Sequence, residues 1–154
     1  MPTNKLPKVQ LTNLLRNKLL EFDDPDYFAN YFAEWKAAFP HSEFTDPYFG
    51  KDSYYKRPTR LNGEFVLWHV HLEPNILQSE IDEWNKQLKF KARKTSNTAL
   101  VYAKHATHGF LLIDIFWEPD GHDLSEMKTQ KSIDMMEDYA DVAEHFLLHG
   151  KSLI

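Results

Sequence analysis

Two histidines, His69 and His71, lie one residue apart in the run Phe65-Val-Leu-Trp-His-Val-His-Leu72. The run is rich in aromatic and β-branched residues and reads as a strand. Side chains along a strand alternate between faces. Both imidazoles therefore share a side with Phe65 and Leu67, while Val66, Trp68, Val70 and Leu72 form an all-apolar side that belongs against a core. Imidazole has an unperturbed pKa of about 6.5 and exchanges protons near neutrality. A second chemical feature lies downstream. From Lys86 to Ile113 there is no Asp or Glu, while Lys86, Lys89, Lys91, Arg93, Lys94 and Lys104 fall there with His105 and His108. A guanidinium donates bidentately to phosphate, and flanking lysines attract a polyanion even on a protein of net negative charge, because counterion exchange is local.

The elements that must position these groups are legible in outline. Thr12-Asn13 caps a predicted helix carrying Leu15, Leu19 and Phe22. Asp24-Pro25 starts a second, with the aromatic stripe Tyr27, Phe28, Tyr31, Phe32 and Trp35 as its core face and a stop near Pro40. His41 to Gly63 reads as loop, punctuated by Pro47, Gly50, Pro58 and Gly63 and carrying Lys51, Lys56, Arg57 and Arg60. After the histidine strand, Ile76 to Phe90 reads as a helix with Ile76, Leu77, Ile81, Trp84 and Leu88 buried. Ala99–Lys104 and Phe110–Trp117 read as a hairpin around His105–Gly109. Leu111, Ile113, Ile115 and Trp117 share one face of the last strand, Asp114 takes the other, and Pro119 and Gly121 close it. Asp123-Leu-Ser-Glu126 has the form of a capping box. A long helix is expected to follow to about His149, stopped by Gly150. The expectation is an α+β fold, a small antiparallel sheet with N-terminal helices and a long C-terminal helix, covered on one face.

Composition sets bounds. The 154 residues carry a formal charge of −5, 42% hydrophobic and 14% aromatic residues, and no cysteine. A disordered chain, a disulfide scaffold, a thiol nucleophile and a cysteine-ligated metal centre are excluded. No run approaches the ~18–20 apolar residues of a membrane span, and the N-terminus lacks the apolar core of a secretory signal. A cytoplasmic protein with no membrane partner is expected.

The stretch His69-Val-His71-Leu72, followed by Phe90-Lys-Ala-Arg93-Lys-Thr95-Ser-Asn97-Thr-Ala-Leu100-Val101-Tyr102, resembles the YafO family of toxins from bacterial type II toxin–antitoxin systems. Tyr48-Phe49-Gly50-Lys51-Asp52-Ser-Tyr54-Tyr55 upstream is similar to the family's Phe-Gly-basic-Asp stretch. Leu111-Leu112-Ile113-Asp-Ile115, Glu118-Pro119, His122 and the closing helix fit downstream. The resemblance runs from Phe44 to Leu148. It divides one domain, 1–154, into an N-terminal helical addition, 1–43, and a family core, 44–150. It implies a fold related to the RelE and ParE toxins, ribosome-dependent cleavage of mRNA, no cofactor, and a cognate antitoxin as partner beside the ribosome and mRNA.

Metal-independent RNA cleavage sends the 2′-hydroxyl onto the adjacent phosphorus and needs a base, cationic stabilisation and an acid. His69 and His71 are the candidates for proton transfer, Arg93 for clamping the phosphate, and His122 for approaching from beyond the last strand. Lys91 and Lys94 would steer the backbone with Lys89 and Lys104 in the same basic patch, and Tyr102 would stack on a base or donate a hydrogen bond. For each imidazole the plain alternative is a hydrogen-bonded polar residue on a sheet face, and for Tyr102 it is core packing. Two other functions stay open: a metal-dependent enzyme, in which His69 and His71 gain Asp114, His105 or His122 as a third ligand, and a non-catalytic binding module of toxin-like fold.

Overall fold

A computed structural model describes residues 5–38, 42–117 and 121–154. Pro40 and Pro119, read above as stops, and Glu118 of the family-like stretch lie outside the described residues. In chain order the elements are β1 (Val9–Leu11), α1 (Asn13–Leu19), α2 (Pro25–Ala37), α3 (Ser42–Thr45), β2 (Phe49–Tyr54), β3 (Thr59–Arg60), β4 (Glu64–Phe65), β5 (Trp68–Leu72), α4 (Gln78–Lys89), β6 (Ala99–His105), β7 (Gly109–Phe116), α5 (Gly121–Glu126) and α6 (Gln130–His149). The architecture is α+β, as expected.

The sheet is larger than the sequence pattern indicated. Five strands run in the order β1-β7-β6-β5-β2, antiparallel except that β1 pairs parallel to β7. β2 occupies the stretch read as loop. Its signal is broken by a bulge: Phe49 pairs with Leu72 and Asp52 with Val70, so three steps on β2 oppose two on β5. A second bulge lies in β7, where Val101 pairs with Asp114 but Tyr102 with Leu112. It reverses the side-chain alternation, so Leu111 and Ile113 face one core while Ile115 and Trp117 face the other.

Both faces of the sheet are covered, not one. On one side α6 places Met136, Tyr139, Ala140, Ala143 and Phe146 on Leu67, Val101, Ala103, Leu111 and Ile113. On the other, α1 and α2 place Leu15, Leu19, Phe28, Phe32 and Trp35 on Phe49, Val70, Leu72, Leu100 and Leu112. Each such buried side chain contributes roughly 1.5–3 kcal/mol, so the N-terminal helices are a structural half of the core. Val66 joins the α6 side with Leu67, against the alternation, because the strand breaks between β4 and β5.

Local signals account for most helix ends. Thr12 caps α1 by accepting from the Leu15 N–H at 3.1 Å, and Asp24 caps α2 by accepting from Asp26 at 2.9 Å ahead of Pro25. Phe22 falls beyond the end of α1 and is 71% exposed. α4 begins at Gln78, leaving Ile76 and Leu77 exposed before it, and Trp84 is its one fully buried side chain. Asp123–Glu126 lies within the short α5. The capping box that starts α6 is Thr129–Ser132, whose side chains each accept from the other's backbone N–H at 3.1 Å. Gly150, in the left-handed region, ends α6 as expected. The acidic side of α6 is partly used: Arg60 of β3 pairs with Glu137 at 2.6 Å and Asp141 at 3.0 Å.

Candidate active site

The segment between α4 and β6 is held by other parts of the chain along its length. The Lys51 N–H on the β2 bulge donates to the Lys94 carbonyl at 2.8 Å. Thr95 N–H donates to Gln87, the Asn97 amide to Glu80, and Ser96 Oγ to the Leu72 carbonyl at 2.6 Å. Two glycines permit this packing. A methyl group at Gly50 would overlap the Lys94 carbonyl and press on the Trp84 ring, and one at Gly121 would overlap the Asn97 carbonyl. Gly50→Ala is expected to displace the Lys94 end of the segment and lower stability by about 1–3 kcal/mol; thermal or urea unfolding measures the loss.

This segment fixes His71. Its Nδ1 lies 2.6 Å from the Ser96 carbonyl and 3.1 Å from the Ser96 N–H. With the proton on Nδ1, facing the Ser96 carbonyl, the lone pair is left on Nε2. Burial pushes the His71 pKa down, the Ser96 carbonyl opposes that shift, and the charges of Lys51 and Arg93 add to it. At neutral pH the ring is uncharged and able to accept a proton.

His71, Ser96 and His122 line one open cleft of about 450 Å³, with Thr95, Asn97 and, from α4, Glu80, Glu83 and Gln87. His122, at the start of α5, places Nε2 2.6 Å from Glu126. Arg93 donates to Glu43 from Nε at 2.8 Å and from one terminal nitrogen at 2.7 Å, and to the Asp52 carbonyl at 3.3 Å. Its side chain stays 43% exposed. The cleft lining itself carries the carboxylates Glu80 and Glu83, while the cations Lys51 and Arg93 act on the His71 ring from outside that lining.

His69 shares the β5 face with His71 but does not line the cleft. It stacks on Tyr55 at 4.2 Å and meets the His71 ring edge-to-face at 5.5 Å. Its Nε2 is 3.4 Å from Ser53 Oγ, and its Nδ1 is buried with no hydrogen-bond partner. Burial, helped by His71 and Lys51, pushes its pKa down to about 4. The folded state thus binds this proton more weakly than the unfolded chain. His69's contribution is full above the unfolded value of about 6.5 and declines as pH falls toward 4, by about 3 kcal/mol. His69→Gln should flatten the acid side of a stability-versus-pH curve.

Other candidates take different places. Lys94 is fully buried, donating to the Glu43 carbonyl at 3.1 Å with its ammonium over Trp84, so it supports α3 and cannot steer a polyanion. Tyr102 is fully buried on the opposite sheet face, in the core alternative, donating to Asp52 at 2.6 Å and accepting from Lys36 at 2.8 Å. Lys104 lies over the Trp68 ring at 3.7 Å, away from the cleft. Lys89 and Lys91 are exposed at the end of α4. Lys51 and Ser96 are the residues that sequence reasoning passed over for the site. A glycine beside an alternating Phe49, Lys51, Ser53 pattern is the usual mark of a bulged strand and was the available signal for Lys51. Of the third ligands considered for a metal, Asp114 is held by Lys18 at 2.6 Å and Tyr139 at 2.5 Å. His105 sits in the hairpin turn, accepting from Thr107 and His108. Among the described residues no three His, Cys, Asp or Glu side chains are grouped to hold a metal ion.

No curated protein and no solved structure matches the chain. The family described as Toxin YafO, type II toxin-antitoxin system, matches residues 33–148, a span that starts within α2 and contains β2 to β7, the pinned segment and every residue of the cleft. The chain belongs to the YafO toxin family of type II toxin–antitoxin systems.

Proposed function

We propose that this toxin is a ribosome-dependent mRNA interferase, an endoribonuclease that works by attack of the substrate's own 2′-hydroxyl. The observation that carries the proposal is the meeting of an uncharged, carbonyl-oriented His71 with His122 in one cleft beside the cations Lys51 and Arg93. Nε2 of His71 takes the 2′-hydroxyl proton as the oxygen attacks phosphorus. Arg93, held in place by Glu43, and Lys51 stabilise the charge gathering on the phosphorane oxygens. The P–O5′ bond breaks, and His122, oriented by Glu126, gives the departing oxygen a proton. The products are a 2′,3′-cyclic phosphate and a 5′-hydroxyl. His69 is a positioning residue that packs against the His71 ring.

The remaining surface bears on the ribosome. Of the cations expected to track RNA, Lys94 is buried and Lys104 is on Trp68, and the chain is acidic overall. Such a protein grips free RNA weakly, and a ribosome that presents the message already bent supplies the missing orientation. The test compares purified toxin on naked mRNA and on the same mRNA in translating ribosomes, with 5′ ends mapped with and without prior phosphorylation. Cleavage dependent on translation, leaving 5′-hydroxyl ends, is expected. Efficient cutting of naked RNA removes the ribosome from the proposal. Stoichiometric metal bound to the purified protein transfers the site to the metal-dependent alternative, and growth arrest without any new RNA ends leaves a binding module.

A further inference from the structure

On the sheet face opposite the cleft, the corner between α1 and α2 opens an apolar groove. One cavity of about 430 Å³ is lined by Phe22, Phe28, Tyr48, Ile76 and Trp117 among others, and a second of about 250 Å³ continues it, sharing Asp23, Phe28 and Tyr48. Phe22 is 71% and Ile76 58% exposed, although Phe22 packs on Trp117 with ring centroids 5.6 Å apart. Large apolar side chains left open around a continuous depression mark a protein-binding surface.

The rim is acidic. Glu21, Asp23, Asp24 and Asp26 fall within six residues at the corner, and Glu73 approaches Tyr48 from the far side. Asp26 is partnered by Arg16 at 3.2 Å, and the cation beside Trp117, Lys18, is already engaged by Asp114. Among the described residues the groove is lined from α1, α2 and loops, with Tyr48 before β2 and Trp117 after β7, so no strand of the sheet runs along it. The shape suits a helix that inserts apolar anchors.

We infer that this groove is the docking surface for the antitoxin, and that it takes an amphipathic helix with apolar anchors on one face and lysine or arginine along the edges facing the acidic rim. Much of the groove's wall, including Phe22, Asp23 and Phe28, lies before residue 33, outside the segment that matches the family. The N-terminal segment therefore selects which antitoxin binds. The inference does not rest on RNA cleavage, because binding is read directly.

The test uses the full-length toxin and, as probe, the purified polypeptide encoded beside it in its operon. Phe22→Glu with Ile76→Glu is expected to weaken binding by about 100-fold or more in titration calorimetry, while the variant without antitoxin still arrests growth. Asp23→Lys is expected to weaken binding about tenfold and to reduce its salt dependence. Should the glutamate pair impair folding, judged by circular dichroism, Phe22→Ser with Ile76→Ser replaces it under the same expectation. Binding within about threefold of the wild type overturns the inference. So does an isolated toxin that is dimeric by light scattering and becomes monomeric in the double variant, since the groove would then hold a second copy of the chain.

Discussion

His71→Gln is expected to lower translation-dependent mRNA cleavage by about 10²–10⁴-fold, the usual contribution of a positioned acid–base group, with the fold retained. Glutamine keeps the side chain polar and near the original volume, and it preserves a contact to the Ser96 backbone that now sits 2.6 Å from Nδ1. What it lacks is a basic nitrogen where Nε2 stands. The depressed pKa of His71 adds a second, independent signature. The base acts only when unprotonated, so the wild-type rate should hold as pH falls through 6.5 and decline below it, and the residual rate of the variant should have no such limb. Quantitative mapping of 5′ ends across pH gives both readouts, and circular dichroism confirms the fold. A variant that cuts at the wild-type rate, with the acid limb unchanged, removes His71 from the proton-transfer role.

The largest expected loss of stability comes from the other face of the sheet. Asp52 and Lys36 form an ion pair whose side chains are 5% and 9% exposed, closed by the Tyr102 hydroxyl. The Lys36 ammonium is surrounded by the rings of Phe32, Trp35, Tyr102 and Phe110. Burial pushes the Lys36 pKa down, and Asp52 is the strongest influence restoring it. Asp52→Ala removes that carboxylate and leaves a cation in a largely apolar setting, expected to cost about 3–5 kcal/mol. The apolar pair Lys36→Met with Asp52→Ala should recover much of the loss, because no charge is then stranded. Denaturant unfolding of the two single variants and the pair measures the coupling. Additive effects would mean that the pair contributes no coupling of its own. The contacts of Asp52 to the scaffold of Arg93 are made by its backbone, whose carbonyl accepts from Arg93 and whose N–H donates to Glu43, so alanine at this position retains both.

The four longer helices, α1, α2, α4 and α6, and the two longest strands could be read directly because their signals are local: the caps Thr12 and Asp24, the stripe Phe28-Phe32-Trp35, the stop at Gly150. The two bulges could not, because each adds one residue to a strand and thereby breaks the alternation by which strands are recognised. That is why β2 passed for a loop and why Ile115 and Trp117 changed faces. β1 is three residues long and exists only through its partner. At the site, the shared face of His69 and His71 followed from parity alone, and Arg93 from its place in a cationic run. What separates the two imidazoles is the packing of Tyr55 on one and the carbonyl of Ser96 on the other. Both are tertiary contacts with no local pattern. Burial of Lys94 and Tyr102 likewise depends on Trp84 and Lys36, residues far off in sequence.

The pairing of Val9–Leu11 with Phe110–Leu112 carries a consequence for synthesis. A strand emerging among the first residues has no neighbour until more than two thirds of the polypeptide has been made, and the helices attached to it wait as well. The Asn13 N–H donates to the carbonyl of Ile154 at 3.2 Å, across nearly the whole length of the sequence. Such distant closures are slow. The five-stranded sheet is therefore completed late in synthesis, and α1 and α2 reach their final packing only once β6 and β7 have emerged.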